Sequence, residues 1–357
     1  MKKLLLLILL LIPFKISAIT TSATSAILMD MDSNRILYGY NINDQRSVAS
    51  ISKVMTALIA IESGKLEDKV KIGSEIDKSY GSGIYIKKGE VLTLRDLLYG
   101  LMLRSGNDAS YTISNYVGGS NEKFVSLMNK KANDLNLKNT VFNNPNGLDE
   151  DKGNYSTAYD MAIIMSEAMK NKDFRQIVKT KKYNLKTNMN TYIWHNKNKL
   201  LKMYKYATGG KTGFTKKARR TLVNTASKDG LNLVAVTLND GNDFIDHKNL
   251  FEYGFNNYKS YYILKKGNIE ILDDTYYKNY DFYIKEDFKY PLTRDEKDLI
   301  TIKFNLEKIR KVKNNMKVGN VCVYLGNLMI YKEDIYIKKH YSKKFSLKDF
   351  IKDLFKW

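Results

Sequence analysis

The sequence predicts a mixed α/β domain followed by a smaller, β-rich domain. Helix-type spacing of apolar residues dominates the region 50–170, and strand-type runs lie on both sides of it. From Tyr261 to Lys338 the chain consists mostly of short alternating runs, which is the pattern of β-strands. With 357 residues and 43% hydrophobic content, the chain is long enough for two domains with separate cores. We therefore place the first domain at residues 19–258 and the second at 259–338.

Two β-hairpins are predicted within the first domain, one near each end of it. Their strand-type runs lie at residues 25–31, 35–40, 220–227 and 231–239. Asp32-Ser33-Asn34 separates the first two runs, and Lys228-Asp229-Gly230 separates the last two. Both tripeptides have the composition of tight turns between antiparallel strands.

Helices are predicted between these hairpins and after them. Val54, Leu58 and Ile61 fall on one stripe of the first helix. Thr93 and Asp96 have the spacing of a capping box at the start of the second. The predicted helices span residues 50–62, 93–105, 107–117, 121–135, 156–170 and 243–257.

Residues 1–18 have the features of a secretory signal peptide. Lys2 and Lys3 precede the unbroken apolar run Leu4–Ile12, and the small residue Ala18 follows at a cleavage point. The apolar run is shorter than the about 20 residues of a comfortable membrane-spanning helix. We therefore expect export to the outer face of the cytoplasmic membrane or the cell wall, with an uncleaved anchor as the alternative.

The last segment, residues 339–357, is predicted to form an amphipathic helix that ends at Trp357. Lysines and aspartates occupy one face of it, and the opposite face is apolar. The apolar face consists of Leu347, Phe350, Ile351, Leu354 and Phe355. This pattern favours an anionic membrane surface as the partner of the helix. The alternative is a helix docked on its own protein.

The chain is strongly basic, with 59 Lys and Arg against 38 Asp and Glu and a formal net charge of +21. Such a balance can indicate nucleic-acid binding, but export argues against that partner and we expect no nucleic acid. Anionic lipid headgroups or wall polymers are the expected partners. A solvated, lysine-rich surface without a partner is the alternative.

Histidine and cysteine are too scarce for several classes of site. His195, His247 and His340 are the three histidines, and none has a metal-ligand spacing such as H-E-x-x-H. We therefore expect no metal and no cofactor. Cys322 is the single cysteine, so an intrachain disulfide is excluded, and its apolar neighbours favour a core position over a reactive thiol.

The candidate nucleophile lies in Ser50-Ile51-Ser52-Lys53. If a helix begins near Ser50, positions i and i+3 share a face, and the hydroxyl can meet the Lys53 amine. A serine is a weak nucleophile until a base takes its proton. A lysine can be that base only when neutral, which requires burial or a nearby cation to lower its pKa from about 10.4. The motif alone is weak evidence, because Ser120–Lys123 also matches it and is better explained as a capped surface helix.

Two further motifs can complete a site around this serine. Ser105-Gly106-Asn107 joins two predicted helices and offers a hydroxyl and an amide. Lys211-Thr212-Gly213 lies on a strand-like segment and offers a cation and a hydroxyl for a carboxylate. The small Gly213 would let a peptide pass close to the backbone.

Together and in this order, the three motifs resemble the S-x-x-K, S-D-N and K-T-G set of penicillin-binding proteins and class A β-lactamases. The S-G-N variant resembles the low-molecular-mass penicillin-binding proteins that act as D-alanyl-D-alanine carboxypeptidases, a family of serine DD-peptidases. The resemblance covers residues 19–258, and the longer matching stretches include Ser47–Leu58, Leu97–Ala109, Asn144–Leu148, Tyr155–Met161 and Gly210–Thr215. It implies a serine β-lactamase/DD-peptidase-like α/β fold, with an antiparallel sheet flanked by helices and a helical subdomain.

The resemblance also implies a role for each motif residue. Ser50 would be acylated, Lys53 would accept its proton, and Ser105 would relay a proton to the leaving amine. The substrate would be a peptidoglycan stem peptide that loses its terminal D-Ala, and β-lactams would be covalent inhibitors. Substrate-binding roles fall to Asn107, Lys211, Thr212 and Gly213, and the oxyanion hole would be formed by the backbone N–H groups of Ser50 and Phe214.

The sequence departs from the family at two positions. Some relatives carry an arginine that clamps the substrate carboxylate near the segment where this chain has Asn256, and Arg219 and Arg220 are the candidates to replace it. Some relatives also have a histidine where this chain has Asn146, which bears on the geometry of deacylation.

Two other functions stay open at this point. A β-lactamase would share the acyl-serine step, but class A enzymes add a glutamate for deacylation, and no E-x-x-L-N stretch lies between Asn107 and Lys211. A wall- or membrane-binding scaffold with a retired site would use only the basic surface, the β-rich domain and the tail. The intact motifs argue against that scaffold.

Overall fold

The protein is described by a computed structural model that covers residues 19–149, 152–271 and 274–340. The chain divides into two compact units. The first comprises the chain up to Met29 together with Ile36–Ser227 and Leu233–Gly254. The second comprises the chain from Phe255 onward and two short turn segments, Asp30–Arg35 and Lys228–Asn232. The predicted signal peptide at 1–18 and all but the first two residues of the predicted tail at 339–357 lie outside the described residues.

The first unit contains eleven strands among the described residues. They are β1 (Ser25–Asp30), β2 (Ile36–Tyr40), β3 (Arg46–Ser47), β4 (Lys69–Lys71), β5 (Val91–Thr93), β6 (Tyr155–Ser156), β7 (Lys182–Lys186), β8 (Thr191–His195), β9 (Ala207–Thr215), β10 (Arg219–Lys228) and β11 (Leu231–Leu238). Five of them form the main sheet, in the order β2-β1-β11-β10-β9. The strand pairs β1–β2 and β9–β10 are antiparallel. The antiparallel pair β1–β2 confirms the first predicted hairpin. The strands predicted at 220–227 and 231–239 are β10 and β11, which are neighbours in this sheet. The three small pairs β3–β6, β4–β5 and β7–β8 were not predicted.

Among the described residues, eight α-helices surround this sheet or form the helical part of the unit, and the last of them extends past the end of the unit at Gly254. They are α1 (Lys53–Glu62), α2 (Leu94–Tyr99), α3 (Asn107–Gly118), α4 (Asn121–Asp134), α5 (Ala158–Lys170), α6 (Lys172–Lys179), α7 (Leu200–Met203) and α8 (Asp243–Asn257). The last of them packs tightly on the sheet at Gly254, where a Cβ atom would lie 2.6 Å from Leu233 and 3.0 Å from Leu28. The antiparallel sheet flanked by helices and the separate helical group agree with the predicted fold class.

Helix α1 is the centre of the helical group. Its residues from Lys53 to Ile61 are all buried, and it packs against α3, α4, α5 and α6. The apolar stripe predicted for this helix is therefore only part of its buried surface. Because neighbouring helices cover every side of it, the polar side chains of Lys53 and Thr56 are buried as well.

Two predicted helices differ from the structure at one end. Residues Ala49–Ser52 form a 3-10 turn, so α1 begins at Lys53 rather than at Ser50. Thr93 and Asp96 form the predicted capping box, but the helix becomes a wider π-helix at Gly100–Arg104. It ends at Ser105, whose φ of 64° is left-handed. Both irregular segments adjoin residues of the predicted site.

The second unit is β-rich, as predicted. Its strands are β12 (Lys259–Leu264), β13 (Gly267–Ile269), β14 (Tyr280–Ile284), β15 (Phe288–Leu292), β16 (Ile300–Leu306), β17 (Met316–Leu325) and β18 (Leu328–Lys339). A five-stranded sheet has the order β13-β14-β18-β17-β16, and β12 pairs with β15. Alternate residues such as Val321, Val323, Ile335 and Ile337 form its core. Cys322 is buried in this unit, which confirms its prediction as a core residue.

Across the three described ranges, no helix combines the length and the apolar character needed to cross a bilayer.

Candidate active site

Ser50 and Lys53 meet because the chain enters α1 through a 3-10 turn. In such a turn three residues complete one rotation, so the side chains at i and i+3 lie above one another. The Lys53 Nζ atom lies 3.1 Å from Ser50 Oγ. Lys53 is completely buried, whereas Ser50 is partly exposed. A hydroxyl that substrate can reach is thus in contact with an amine that solvent cannot reach.

Three groups surround the Lys53 amine. Besides Ser50, its Nζ atom lies 2.8 Å from Asn107 Oδ1 and in short contact with the main-chain carbonyl oxygen of Asn146. The Asn107 amide is fixed in this orientation because its Nδ2 atom donates to the Tyr80 carbonyl at 2.6 Å. Both oxygens facing Lys53 are carbonyl oxygens, which only accept hydrogen bonds.

The charge state of Lys53 follows from this environment. Burial first, and then the charges of Lys211 and Lys197, hold the pKa of Lys53 well below its ordinary value, while Asp108 opposes the shift. A neutral amine has two N–H donors and one lone pair. If the donors serve Asn107 and Asn146, the lone pair is left to face the Ser50 hydroxyl. This is the arrangement of a base and its nucleophile.

Ser105 and Lys211 form a second contact on the same site. Lys211 Nζ donates to Ser105 Oγ at 3.1 Å and to the Thr212 carbonyl oxygen at 2.6 Å. Ser105 reaches this position because the preceding π-helix ends in its left-handed residue. Burial, and then the charge of Lys197, lower the pKa of Lys211 to about 7. The Lys211 amine therefore titrates near neutral pH.

Gly213 lets strand β9 approach the start of α1. A Cβ atom at this position would lie 2.3 Å from Thr221 Oγ1 and 3.0 Å from the Ser50 backbone nitrogen. Thr221 is itself held by a hydrogen bond from its hydroxyl to the Val48 carbonyl oxygen at 3.0 Å. The glycine thus places β9 directly beside the backbone N–H of Ser50, and Phe214 follows with an exposed side chain.

These residues border one cleft of about 380 Å³. Of the predicted site residues, Ser50, Ser105, Thr212, Gly213 and Phe214 line it. Lys53 and Lys211 contact the lining residues Ser50 and Ser105 from the buried side, and the buried Asn107 contacts Lys53. The cleft is also lined by Ser82, Lys197, Arg220, Asp243 and Phe244.

Lys197 and Ser82 were not predicted from the sequence. Lys197 Nζ donates to Ser82 Oγ at 3.1 Å, and the Lys197 backbone N–H donates to the Leu103 carbonyl at 3.0 Å. Burial, and then the charge of Arg104, lower the pKa of Lys197. Lys197 in turn lowers the pKa values of the two motif lysines. Its only sequence signal is the stretch Asn196-Lys197-Asn198, which no spacing rule connects to the motifs.

Arg219 and Arg220 were the two candidates to replace the carboxylate-binding arginine of relatives. Of these two, only Arg220 lines the cleft. It forms an ion pair with Asp243 at the start of α8, with 3.1 Å between Nε and Oδ2 and a second short contact. Asn256 is exposed in the last turn of α8 and belongs to the second unit.

Asn146 contributes through its backbone. Its carbonyl oxygen contacts Lys53, and its side-chain Oδ1 accepts from the Leu148 N–H at 2.9 Å. The following Gly147 has a φ of +81°, and a Cβ atom there would lie 2.1 Å from the Ala49 carbonyl oxygen. The tight turn at Gly147 therefore places the Asn146 carbonyl oxygen over the buried amine.

Within the residues that the structure describes, no group of three or more His, Cys, Asp or Glu side chains could hold a metal ion. The side chains that line or adjoin the cleft supply the hydroxyls of Ser50, Ser82, Ser105 and Thr212, three amines, a guanidinium and a carboxylate.

Comparison with known proteins places this site in a family. The family model described as D-alanyl-D-alanine carboxypeptidase matches residues 13–242, and the model described as penicillin-binding protein 5, C-terminal domain, matches residues 258–343. D-alanyl-D-alanine carboxypeptidase DacF of Bacillus subtilis is 39% identical over 226 residues, which are 62% of this chain and 58% of that protein. D-alanyl-D-alanine carboxypeptidase DacA of Escherichia coli is 32% identical over 265 residues, which are 69% of this chain and 64% of that protein.

Solved structures show the same fold. Penicillin-binding protein 5 of Haemophilus influenzae superposes with a TM-score of 0.78 at 24% identity, covering 91% of this chain and 98% of that one. A variant of the Streptomyces K15 DD-transpeptidase superposes with a TM-score of 0.64 at 32% identity, covering 66% of this chain and 99% of that one. With the family match covering most of the first unit and the three motifs meeting in one cleft, this chain belongs to the D-alanyl-D-alanine carboxypeptidase family of serine peptidases.

Proposed function

We propose that the protein is a serine-type D-Ala-D-Ala carboxypeptidase that removes the terminal D-Ala from the pentapeptide stem of peptidoglycan. One observation carries the proposal. The Lys53 amine, completely buried and with a lowered pKa, lies 3.1 Å from the hydroxyl of the accessible Ser50. This contact supplies an activated nucleophile in a cleft large enough for the end of a peptide.

The first half of the reaction forms an acyl-enzyme. The Ser50 hydroxyl gives its proton to the Lys53 amine, and Oγ forms a bond to the carbonyl carbon of the penultimate D-Ala. The carbonyl oxygen becomes an oxyanion that the N–H groups of Ser50 and Phe214 would bind, a contribution often worth about 3–4 kcal/mol. The peptide C–N bond then breaks, and the leaving amine of D-Ala takes a proton.

The position of Ser105 supports a role as the relay for that last proton. Its hydroxyl lies 3.1 Å from Lys211 Nζ and lines the cleft with Ser50. A proton given up by Ser105 can be replaced from Lys211, whose pKa near 7 allows it to donate at neutral pH. In the second half, water attacks the acyl carbon, the ester bond to Ser50 breaks, and the serine recovers its proton.

The same step accounts for inhibition by β-lactams, since the strained amide of a β-lactam would acylate Ser50 in place of the peptide. The stem peptide and the β-lactams are therefore the small-molecule partners that we propose. The substrate lies in the cell wall, so the protein would act outside the cytoplasm. Export by residues 1–18 and attachment of residues 339–357 to an anionic membrane surface are part of this proposal and are supported by the sequence pattern.

A β-lactamase is the second candidate, and the cleft argues against it. Class A β-lactamases use a dedicated glutamate to activate the water that hydrolyses the penicilloyl-enzyme. Among the described residues that line the cleft, the single carboxylate is Asp243, and its two oxygens are engaged by Arg220. A retired scaffold is disfavoured by the intact contact between Ser50 and Lys53.

Mass spectrometry of the intact protein tests the proposal directly. Incubation with benzylpenicillin should add one penicilloyl group, and peptide mapping should locate it on Ser50. Wild-type protein should release D-Ala from a pentapeptide ending in D-Ala-D-Ala, and Ser50→Ala should not. The proposal fails if Ser50→Ala releases D-Ala at the wild-type rate or if the adduct maps to another side chain.

A further inference from the structure

We propose that a basic pocket at the end of strand β9 binds a carboxylate of the stem peptide that lies two or three residues upstream of the scissile bond. Arg46 and Lys217 are the cations of this pocket. The inference rests on the proposed function, because it extends recognition of the same substrate to its acyl portion. It predicts that the enzyme distinguishes stem peptides by a charge that is remote from the bond it cuts.

The pocket is separate from the active-site cleft. It has a volume of about 440 Å³ and lies within the first unit. None of its lining residues lines the cleft around Ser50. The lining consists of Asp44, Gln45, Arg46, Ser47, Tyr155, Lys217, Ala218, Leu238 and Asn239.

Asp149 connects the wall of this pocket to the active site. Its Oδ1 atom accepts from the Ser47 hydroxyl at 2.6 Å, and its Oδ2 atom is in short contact with the Thr215 hydroxyl. Thr215 is the last residue of β9, and Ser47 precedes the nucleophile by three positions. The pocket therefore begins where the β9 side of the cleft ends.

The order of roles along β9 determines which part of the peptide would reach the pocket. Thr212 would hold the terminal carboxylate, and the Phe214 N–H would bind the oxyanion of the scissile carbonyl. The peptide would thus run antiparallel to β9, with its upstream residues passing Thr215 towards the β9–β10 turn. A strand and an extended peptide both advance about 3.3 Å per residue. Lys217, three positions beyond Phe214, would therefore face the second or third residue of the acyl portion.

Arg46 is a partly buried cation that lacks an acceptor. Its Nε atom is shielded from solvent and has no hydrogen-bond partner in the described ranges. Buried donors in proteins are almost always paired, and one left unpaired is unfavourable. A guanidinium presents its N–H groups in the planar fork that a carboxylate binds with two parallel hydrogen bonds. A carboxylate in the pocket would provide the acceptor that Arg46 lacks.

Lys217 provides the second positive charge, from the β9–β10 turn. Its Nζ atom donates to the Tyr155 hydroxyl and lies 5.0 Å from the centre of the Tyr155 ring. The hydrogen bond to Tyr155 raises the pKa of Lys217, so the amine is charged at neutral pH. An ammonium group has three N–H donors, and two of them remain for a ligand.

Nearby carboxylates leave these two cations available. Asp44 lines the pocket, but no ion pair within the described part of the chain involves Arg46 or Lys217. Both oxygens of Asp149 are engaged by the two hydroxyls of the wall. Two cations against one carboxylate in the lining favour an anionic ligand.

The first experiment measures binding in the Ser50→Ala variant, which cannot form an acyl-enzyme. Calorimetry compares two pentapeptides that end in D-Ala-D-Ala and carry either a γ-linked D-glutamate with a free α-carboxylate or its amide. A second pair has diaminopimelate or lysine at the adjacent position and shows which residue bears the recognised carboxylate. In one of the pairs we expect the acid to bind about tenfold more tightly, the range for a hydrogen bond to a charged group. Equal affinities within both pairs overturn the inference.

Two lysines of one turn provide a matched comparison. Lys216 and Lys217 are both exposed, but only Lys217 lines the pocket. Lys217→Gln should reduce the preference for the acid by about threefold, and Lys217→Glu should abolish it. Lys216→Gln removes the same charge from the same turn and should leave the preference unchanged. A wild-type preference in Lys217→Glu overturns the inference.

Arg46→Gln tests the other cation. Because Arg46 is partly buried, its replacement can lower stability, so the readout is the ratio of acid to amide affinity in protein that melts cooperatively. This ratio should approach unity in Arg46→Gln and recover partly in Arg46→Lys, which keeps the charge. A purely structural role would weaken binding of both peptides equally and leave the ratio at its wild-type value, which would contradict the inference.

Turnover keeps the two proposals distinguishable. If Ser50→Ala prefers the acid but wild-type protein neither releases D-Ala nor forms a penicilloyl adduct, the proposed function fails and the upstream carboxylate site stands. If wild-type protein releases D-Ala from the acid and the amide of both pairs with equal kcat/KM, the upstream site fails and the proposed function stands.

Discussion

The Lys53 amine nitrogen lies 3.1 Å from Ser50 Oγ, and its other contacts are the side-chain oxygen of Asn107 and the backbone oxygen of Asn146. Two acceptors and one hydroxyl match the two donors and one lone pair of a neutral amine. A hydroxyl can also accept from a charged amine, so it is burial and the charges of Lys211 and Lys197, which lower the pKa of Lys53, that favour the neutral form.

The rate of acylation should depend on pH through both motif lysines. Lys53 acts only when neutral, so kcat/KM should fall as the pH drops through its lowered pKa. Lys211 loses its charge above about 7, so binding of anionic substrates should weaken on the alkaline side. The expected profile of D-Ala release is a bell.

Substitutions identify the two limbs of that bell. Lys53→Arg should abolish acylation, because a guanidinium cannot accept a proton near neutral pH. The Lys211→Arg variant has a side chain that stays charged above pH 7. Its D-Ala release should therefore not decline on the alkaline side of the pH profile. Lys248→Arg, at an exposed position of α8, is the control and should follow the wild type. A Lys211→Arg profile that superimposes on the wild-type profile would contradict the assignment.

The free energy of unfolding should depend on pH because of the buried Lys211. Its pKa is about 7 in the folded protein and about 10.4 in an unfolded chain. Between these values the unfolded state binds more protons, so stability rises with pH from about 7 towards 10, by at most about 1.4 kcal/mol per pH unit. Below pH 7 both states are protonated and the contribution of Lys211 is constant.

Thermal melting of wild type and Lys211→Met at pH 7 and pH 9 measures this effect. The wild type should gain more stability over this interval than the variant does, because the variant has no proton to lose at that position. Equal changes in melting temperature would show that Lys211 is not shifted as described.

Gly213→Ala should inactivate the enzyme without unfolding it. The added methyl group would lie 2.3 Å from Thr221 Oγ1 and 3.0 Å from the Ser50 nitrogen, so β9 must move away from the start of α1. Displacing one oxyanion donor costs about 10²–10³ in rate, and we expect a loss of that size in acylation by benzylpenicillin. Gly241→Ala is the matched control, since no atom lies within 4 Å of its Cβ position. Normal acylation in Gly213→Ala would disprove the role of this close approach.

The penicilloyl adduct should persist after free benzylpenicillin is removed. The Asp243 carboxylate is held by Arg220 and is not available as a base for water. A time course of intact mass should show stoichiometric acylation followed by much slower loss of the adduct. Sustained turnover of excess penicillin would instead identify a β-lactamase.

Elements whose sequence pattern has a local cause were predicted correctly. The turn residues Asp32-Ser33-Asn34 and the capping pair Thr93 and Asp96 act over three or four positions, and the structure confirms both. The alternating runs after Tyr261 likewise produced the strands that were predicted. The 3-10 turn at Ala49–Ser52 and the π-helix at Gly100–Arg104 were missed, because tertiary packing rather than periodicity selects them.

By itself, the sequence determined which groups are available: a Ser50–Lys53 pair, a hydroxyl and an amide at 105–107, a cation at 211, and the turn residues that join them. Only the tertiary structure decided the burial and the protonation of these groups. Lys53 and Lys211 have lowered pKa values because distant segments exclude water from them and bring Lys197 close. It also determined that Arg220 rather than Arg219 lines the cleft, since this depends on which face of β10 borders the cleft. Burial and long-range proximity are properties of the folded chain, and no local spacing encodes them.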